Sequence, residues 1–108
     1  MKTHVCLIDD DPDELDIFMD ALNRMDMPCK CTSAESGEHA LQMLGYLSPD
    51  FIFLDMNMPR MSGLECLVEI RKMHQFDKIP VILYSTGMND ITRARALALG
   101  AIGDRAAR

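Results

Sequence analysis

Short apolar runs and amphipathic stretches take turns along this chain with little between them, the alternation of an α/β domain built on a parallel sheet. His4 to Asp9 reads as a first short strand. Asp11 then stands as the N-cap of a helix, with Pro12 in its first position and Glu14 three residues after the cap, so that orphan amides are satisfied and the start is fixed. Leu15, Phe18, Met19 and Leu22 recur at the spacing of one helix face, and Met27-Pro28 ends the element. Cys29 to Ala34 makes a second strand, and Ser36 caps a second helix carrying Ala40, Leu41, Leu44 and Leu47. Ser48-Pro49-Asp50 turns the chain into Phe51-Ile52-Phe53-Leu54, whose unbroken apolarity predicts a strand buried on both faces. Ser62 with Glu65 forms a capping box for a third helix that directs Leu64, Leu67 and Val68 at the sheet. Pro80 to Tyr84 is a fourth strand, and Asn89 or Asp90 opens a fourth helix with Ala94, Leu97 and Ala98 inward and Gly100 as its C-terminal cap.

Four strand–helix units are thus accounted for by residues 1–101, which read as one small domain with a core of marginal size. The remaining stretch, Gly103-Asp104-Arg105-Ala106-Ala107-Arg108, has no β-branched residue, no aromatic and no alternation. Residues 102–108 are therefore expected to make a poor fifth strand and to form an atypical, truncated or disordered tail.

Composition narrows the function classes. A formal charge of -6 disfavours a nucleic-acid partner, because such binding draws on clustered Lys and Arg that neutralise phosphates. No apolar run approaches the roughly 20 residues needed to span a bilayer, and the N-terminus lacks a secretory pattern, so a soluble, cytoplasmic protein with no membrane partner is expected. Cys6, Cys29, Cys31 and Cys66 show no disulfide-scaffold or zinc spacing and read as reduced, buried filler. The methionines at Met19, Met43 and Met73 fall in helical patterns and read as core filler that implies no cofactor.

The chemistry concentrates in two acidic segments. Asp55 ends the third strand and is followed by the Pro/Gly-punctuated turn Met56-Asn57-Met58-Pro59-Arg60-Met61-Ser62-Gly63, while Asp9-Asp10-Asp11 follows the run Val5 to Ile8. In an open doubly wound sheet, ligands bind beyond the carboxyl ends of the strands, where Asp9, Asp10, Asp55 and Ser85 all fall. Carboxylates about 4 Å apart repel by roughly 4 kcal/mol at an effective dielectric near 20, and a cation relieves this. A partly open Asp cluster on loops suits Mg²⁺, with Asp10 and Asp55 as direct ligands and Asp9 acting through water.

These residues resemble the receiver domain of two-component response regulators. That family's pattern is a double Asp after the first strand, an Asp-x-x-(Met)-Pro-x-x-x-Gly block after the third, a Ser or Thr after the fourth and a Lys-Pro in the fifth. The resemblance covers residue 4 to about residue 101 and implies a flavodoxin-like doubly wound parallel sheet, strand order 2-1-3-4-(5), with the fifth strand and last helix missing or altered here. It implies Asp55 as phosphoacceptor, Asp9, Asp10 and Asp55 with the backbone carbonyl of Asn57 around Mg²⁺, and Ser85 as the switch hydroxyl. The implied donor is a phosphohistidine on a sensor histidine kinase or histidine phosphotransfer protein, and the domain catalyses only its own phosphoryl transfer and dephosphorylation. Asp104 stands where the family carries an aromatic residue, and Ala107 where it carries the lysine; Arg105 or Arg108 is the available substitute cation.

Three other readings compete. An aspartyl-nucleophile phosphatase would use Asp9-x-Asp11, a calcium loop would use Asp9, Asp11 and Asp13, and a phosphorylation-impaired module would keep only the fold for interaction. Loss of the last strand and helix would also uncover apolar sheet surface and an unpaired edge, so a homodimer is expected.

Overall fold

A five-stranded parallel sheet in the order β2-β1-β3-β4-β5 carries the chain. Its elements are β1 (Thr3–Ile8), α1 (Pro12–Arg24), β2 (Cys29–Ala34), α2 (Gly37–Leu44), β3 (Phe51–Asp55), α3 (Gly63–Arg71), β4 (Val81–Tyr84) and β5 (Ile102–Arg105). This computed structural model describes residues 3–24, 29–84 and 102–105, with backbone alone at Tyr84 and in β5. The helix expected from Asn89 or Asp90 to Gly100 lies outside the described residues.

Local signals set the element starts. The Asp11 carboxylate accepts the Asp13 N–H at 2.9 Å as α1 begins. Ser36 accepts the His39 N–H at 3.1 Å and starts α2. Ser62 and Glu65 exchange side-chain-to-backbone bonds of 3.0 and 3.2 Å in a complete capping box. α2 stops at Leu44, where Gly45 returns its N–H to the last turn, so Leu47 packs on the core from the following loop and not from the helix as its spacing predicts.

The strands alternate faces, and the two faces are unequally covered. Cys6, Ile8, Ile52, Leu54, Val81 and Leu83 point to one side and pack against Ala40, Met43 and Leu44 of α2 and Cys66, Leu67 and Ile70 of α3. All of these are buried, and burying each aliphatic side chain contributes on the order of 2 kcal/mol. On the other side, Leu7, Phe53 and Ile82 stand in register across β1, β3 and β4. Only α1 covers that face among the described residues, and α1 has no buried residue. β3 is therefore not buried on both faces as its continuous apolarity predicts: Ile52 and Leu54 are buried, whereas Phe53 is half-buried and Phe51 is 38% exposed. Apolarity records what a strand can bury, and coverage depends on what arrives from elsewhere in the chain.

The fold does not stop at β4. Ile102–Arg105 pairs parallel to β4, with Ile82 opposite Ile102, Leu83 opposite Asp104 and Tyr84 opposite Arg105, so that Gly103 is passed over in a register shift. The fifth strand is thus altered, short and irregular, since backbone pairing on an open edge needs no particular side chain, and the tail expected over 102–108 lies outside the described residues from residue 106 onward. The edge predicted to lie bare along β4 is covered by it.

Candidate functional site

Two strand ends deliver the acidic residues. β1 and β3 are adjacent and in register, Ile8 opposite Leu54, so the residues that follow each of these leave the sheet side by side. The Asp9 N–H continues the ladder to the Ala34 carbonyl at 3.0 Å, and its Oδ1 accepts the Asp11 N–H at 2.9 Å. This turn fixes a carboxylate that is only 6% exposed. Asp55, half-buried, is the last residue of β3, and its Oδ1 accepts the Asn57 N–H at 3.0 Å. Asp10 is exposed beside them, and one carboxylate oxygen from each of Asp9, Asp10 and Asp55 lies within 4.8 Å of the others.

The turn after Asp55 is held from below. Met56 and Met58 are buried and anchor it to the core. Arg60 takes a left-handed backbone, φ 66, inside a tight turn closed by the Met61 N–H on the Pro59 carbonyl at 2.8 Å. Gly63 then starts α3 directly against the strand end, its N–H donating to the Met56 carbonyl at 3.2 Å. A Cβ at Gly63 would lie 2.6 Å from the Met56 Cα and collide with the carbonyl oxygen of Asp55. The glycine is required by this backbone-to-backbone approach.

Electrostatics follow from the geometry. At 4.8 Å and an effective dielectric near 20, each pair of ionised carboxylates repels by roughly 3.5 kcal/mol. Burial pushes the Asp55 carboxyl up to about 6; the Asn57 N–H opposes this, and the charges of Asp9 and Asp10, with a side-chain hydrogen bond to Asp10, add to it. Clustered hard oxygens of which one is exposed are the donor set of a small divalent cation that keeps part of its water shell, so the residues present fit Mg²⁺.

The structure brings together Asp9, Asp10 and Asp55, as the sequence predicts. Asp11 and Asp13 are not part of this cluster: Asp11 caps α1 and Asp13 belongs to its first turn, which leaves a calcium loop without its ligands. Asn57 is exposed in the turn, and Ser85 lies outside the described residues. The roles of Gly63 and of the left-handed Arg60 were not derivable from spacing, although the Pro59-to-Gly63 punctuation signals a constrained turn. Arg105 stands opposite Tyr84, which stands opposite Asp55, so its backbone ends β5 two strands from the acidic cluster. Ala107 lies outside the described residues. All four cysteines are free thiols, and burial pushes Cys6 and Cys66 up to about 12. No helix among the described residues is long and apolar enough to cross a membrane.

Comparison with known proteins gives a consistent pattern. The response regulator receiver domain family matches residues 5–103. The probable C4-dicarboxylate response regulator DctR of Bacillus subtilis is 32% identical over 98 residues, which is 91% of this chain and 42% of that protein. The transcriptional regulatory protein YdfI of the same organism is 37% identical over 70 residues, 65% of this chain and 32% of that protein. The chain thus spans less than half the length of either relative. Among solved structures, the chemotaxis protein CheY4 of Vibrio cholerae superposes with a TM-score of 0.88 at 24% identity, covering 98% of this chain and 87% of that one, a likeness of fold.

Proposed function

Because the chain belongs to the response regulator receiver domain family of two-component signalling, we propose that Asp55 accepts a phosphoryl group from a phosphohistidine on a sensor histidine kinase or a histidine phosphotransfer protein. Receiver domains work with such partners, and the observation that carries this reading for the present chain is the meeting of Asp9, Asp10 and Asp55 at the ends of two neighbouring strands. An oxygen of Asp55 attacks phosphorus, the new O–P bond forms as the N–P bond of the phosphohistidine breaks, and the departing imidazole takes up a proton.

Asp9, Asp10 and Asp55, with the backbone carbonyl of Asn57, would hold Mg²⁺. When bound, the cation offsets the repulsion between the carboxylates and the phosphoryl oxygens. The Asn57 N–H orients the Asp55 carboxylate, the Asp11 N–H fixes Asp9, and the seated Gly63 keeps the strand end in place. Ser85 serves as the hydroxyl that donates to the phosphoryl group, a bond worth roughly 1.5–3 kcal/mol, enough to bias a two-state loop about ten- to a hundredfold. Arg105 takes the duty of the missing family lysine, supported by its place in register with Tyr84 and Asp55. The chain turns over no separate substrate in this reading, and a cytoplasmic location belongs to it. An Asp9-nucleophile phosphatase is disfavoured, since Asp9 is buried, whereas Asp55 is only half-buried.

The test is intact mass after incubation with Mg²⁺ and acetyl phosphate. One labile phosphoryl group on the chain and none on Asp55→Asn supports the proposal, with Arg105→Ala slowing its appearance. No gain in mass on the unsubstituted chain would favour the interaction-only module.

A further inference from the structure

We infer that Gly37 and Met61 are positioning residues for Asp55: the bare backbone at the start of α2 is the seat of the Met61 thioether, and this contact fixes the turn that carries the phosphoacceptor. The inference rests on the phosphoacceptor reading and adds to it two residues outside the acidic cluster. Gly37 is buried in the first turn of α2, where alanine is the better helix former. The reason for a missing side chain therefore lies outside the helix. A Cβ at Gly37 would stand 2.6 Å from the Met61 Sδ, 2.9 Å from its Cγ and 3.2 Å from its Cβ. The crowding runs along the side chain from its stem, so a swing of the terminal methyl does not relieve it and Met61 must leave its place.

The seat acts on one limb of the turn. Met56 and Met58, both buried, hold the limb that leaves β3. Met61 closes the tight turn through Arg60 and leads into Ser62 and Gly63, where α3 begins; its side chain packs on the core from that limb. The two limbs meet beside the phosphoacceptor: the Gly63 N–H donates to the Met56 carbonyl at 3.2 Å, and the Asn57 N–H to the Asp55 Oδ1 at 3.0 Å. Gly63 lets α3 approach the strand end, and Gly37 lets the turn approach α2. A displaced Met61 thus pulls on Gly63 and, through it, on the backbone that orients the Asp55 carboxylate. Group transfer requires the nucleophile in place to within about 1 Å, so a small displacement there reads as a large loss of rate.

The experiment compares the full chain with Gly37→Ala, Met61→Ala and the variant carrying both. It reads the rate of mass gain with Mg²⁺ and acetyl phosphate, and the Asn57 and Gly63 amide resonances of the metal-free protein, which need no phosphoryl donor. Gly37→Ala is expected to slow the gain about tenfold and to shift both resonances. In the Met61→Ala background the same change should alter the rate by less than about twofold, because the clash has gone. Ala40→Gly opens a cavity under α2 and shows how much rate is lost with stability alone. Unchanged resonances in Gly37→Ala, an equal loss in both backgrounds, or a loss no greater than that of Ala40→Gly would overturn the proposal. If Gly37→Ala does not fold, Met61→Ala decides: both resonances should shift, and an unchanged pair overturns the proposal. A parent chain that gains no mass refutes the phosphoacceptor reading, and the resonances still decide whether the contact sets the turn.

Discussion

Asp55→Asn should make the metal-free protein more stable at neutral pH. The carboxyl is displaced from an ordinary value of 3.8 to about 6, chiefly by burial and then by Asp9 and Asp10, against the help of the Asn57 N–H. At about 1.4 kcal/mol per pH unit this corresponds to roughly 3 kcal/mol against the ionised form, and because Asp55 is only half-buried, solvent screening reduces the realised penalty to about 1–1.5 kcal/mol. The sign follows from linkage: between 3.8 and about 6 the folded state holds the proton more tightly than the unfolded chain, so this group favours folding below 3.8 and that contribution is lost as pH rises through about 6. Asparagine keeps the shape and removes the charge. For a domain of this size about 1 kcal/mol moves the midpoint by roughly 4–8 °C, so thermal melts in EDTA at pH 7.5 should place the variant about 4–10 °C above the parent. The gap should narrow towards pH 4, where the parent carboxyl is protonated. A variant that melts at or below the parent at pH 7.5, or a gap that does not change with pH, would refute the reasoning.

Further expectations follow from the same geometry. Adding MgCl₂ should raise the midpoint of the parent by about 2.7 kcal/mol equivalent at a hundredfold excess over Kd, and the rise should shrink sharply in Asp10→Asn, as differential scanning calorimetry would show. Gly63→Ala forces a methyl group against the Asp55 carbonyl and the Met56 Cα, so urea unfolding should lose at least about 2 kcal/mol and Mg²⁺ should no longer restore the parent midpoint. Arg60→Gly relieves a left-handed non-glycine backbone in an exposed turn and should raise the urea midpoint by up to about 1 kcal/mol with an unchanged slope.

Much of the fold was legible because its signals are short-range. A cap and a box at Ser36 and at Ser62–Glu65 act over three residues, the period of an apolar run is a property of the run, and both appear in the structure where the sequence puts them. The acidic site was legible for a related reason: a carboxylate at the end of each of two buried strands converges once those strands are neighbours in register, and β1 and β3 are. What the sequence left undecided depends on groups far apart in the chain. Whether Phe51 and Phe53 are covered turns on which helices reach their side of the sheet, and no local pattern records that. That Gly63 must lack a side chain is set by its approach to the backbone of Asp55 and Met56, and that the weak segment Ile102–Arg105 joins the sheet is set by the open edge of β4. Local chemistry names the elements and the charged groups, whereas register, coverage and close approach are sums over contacts that exist only after the chain has folded.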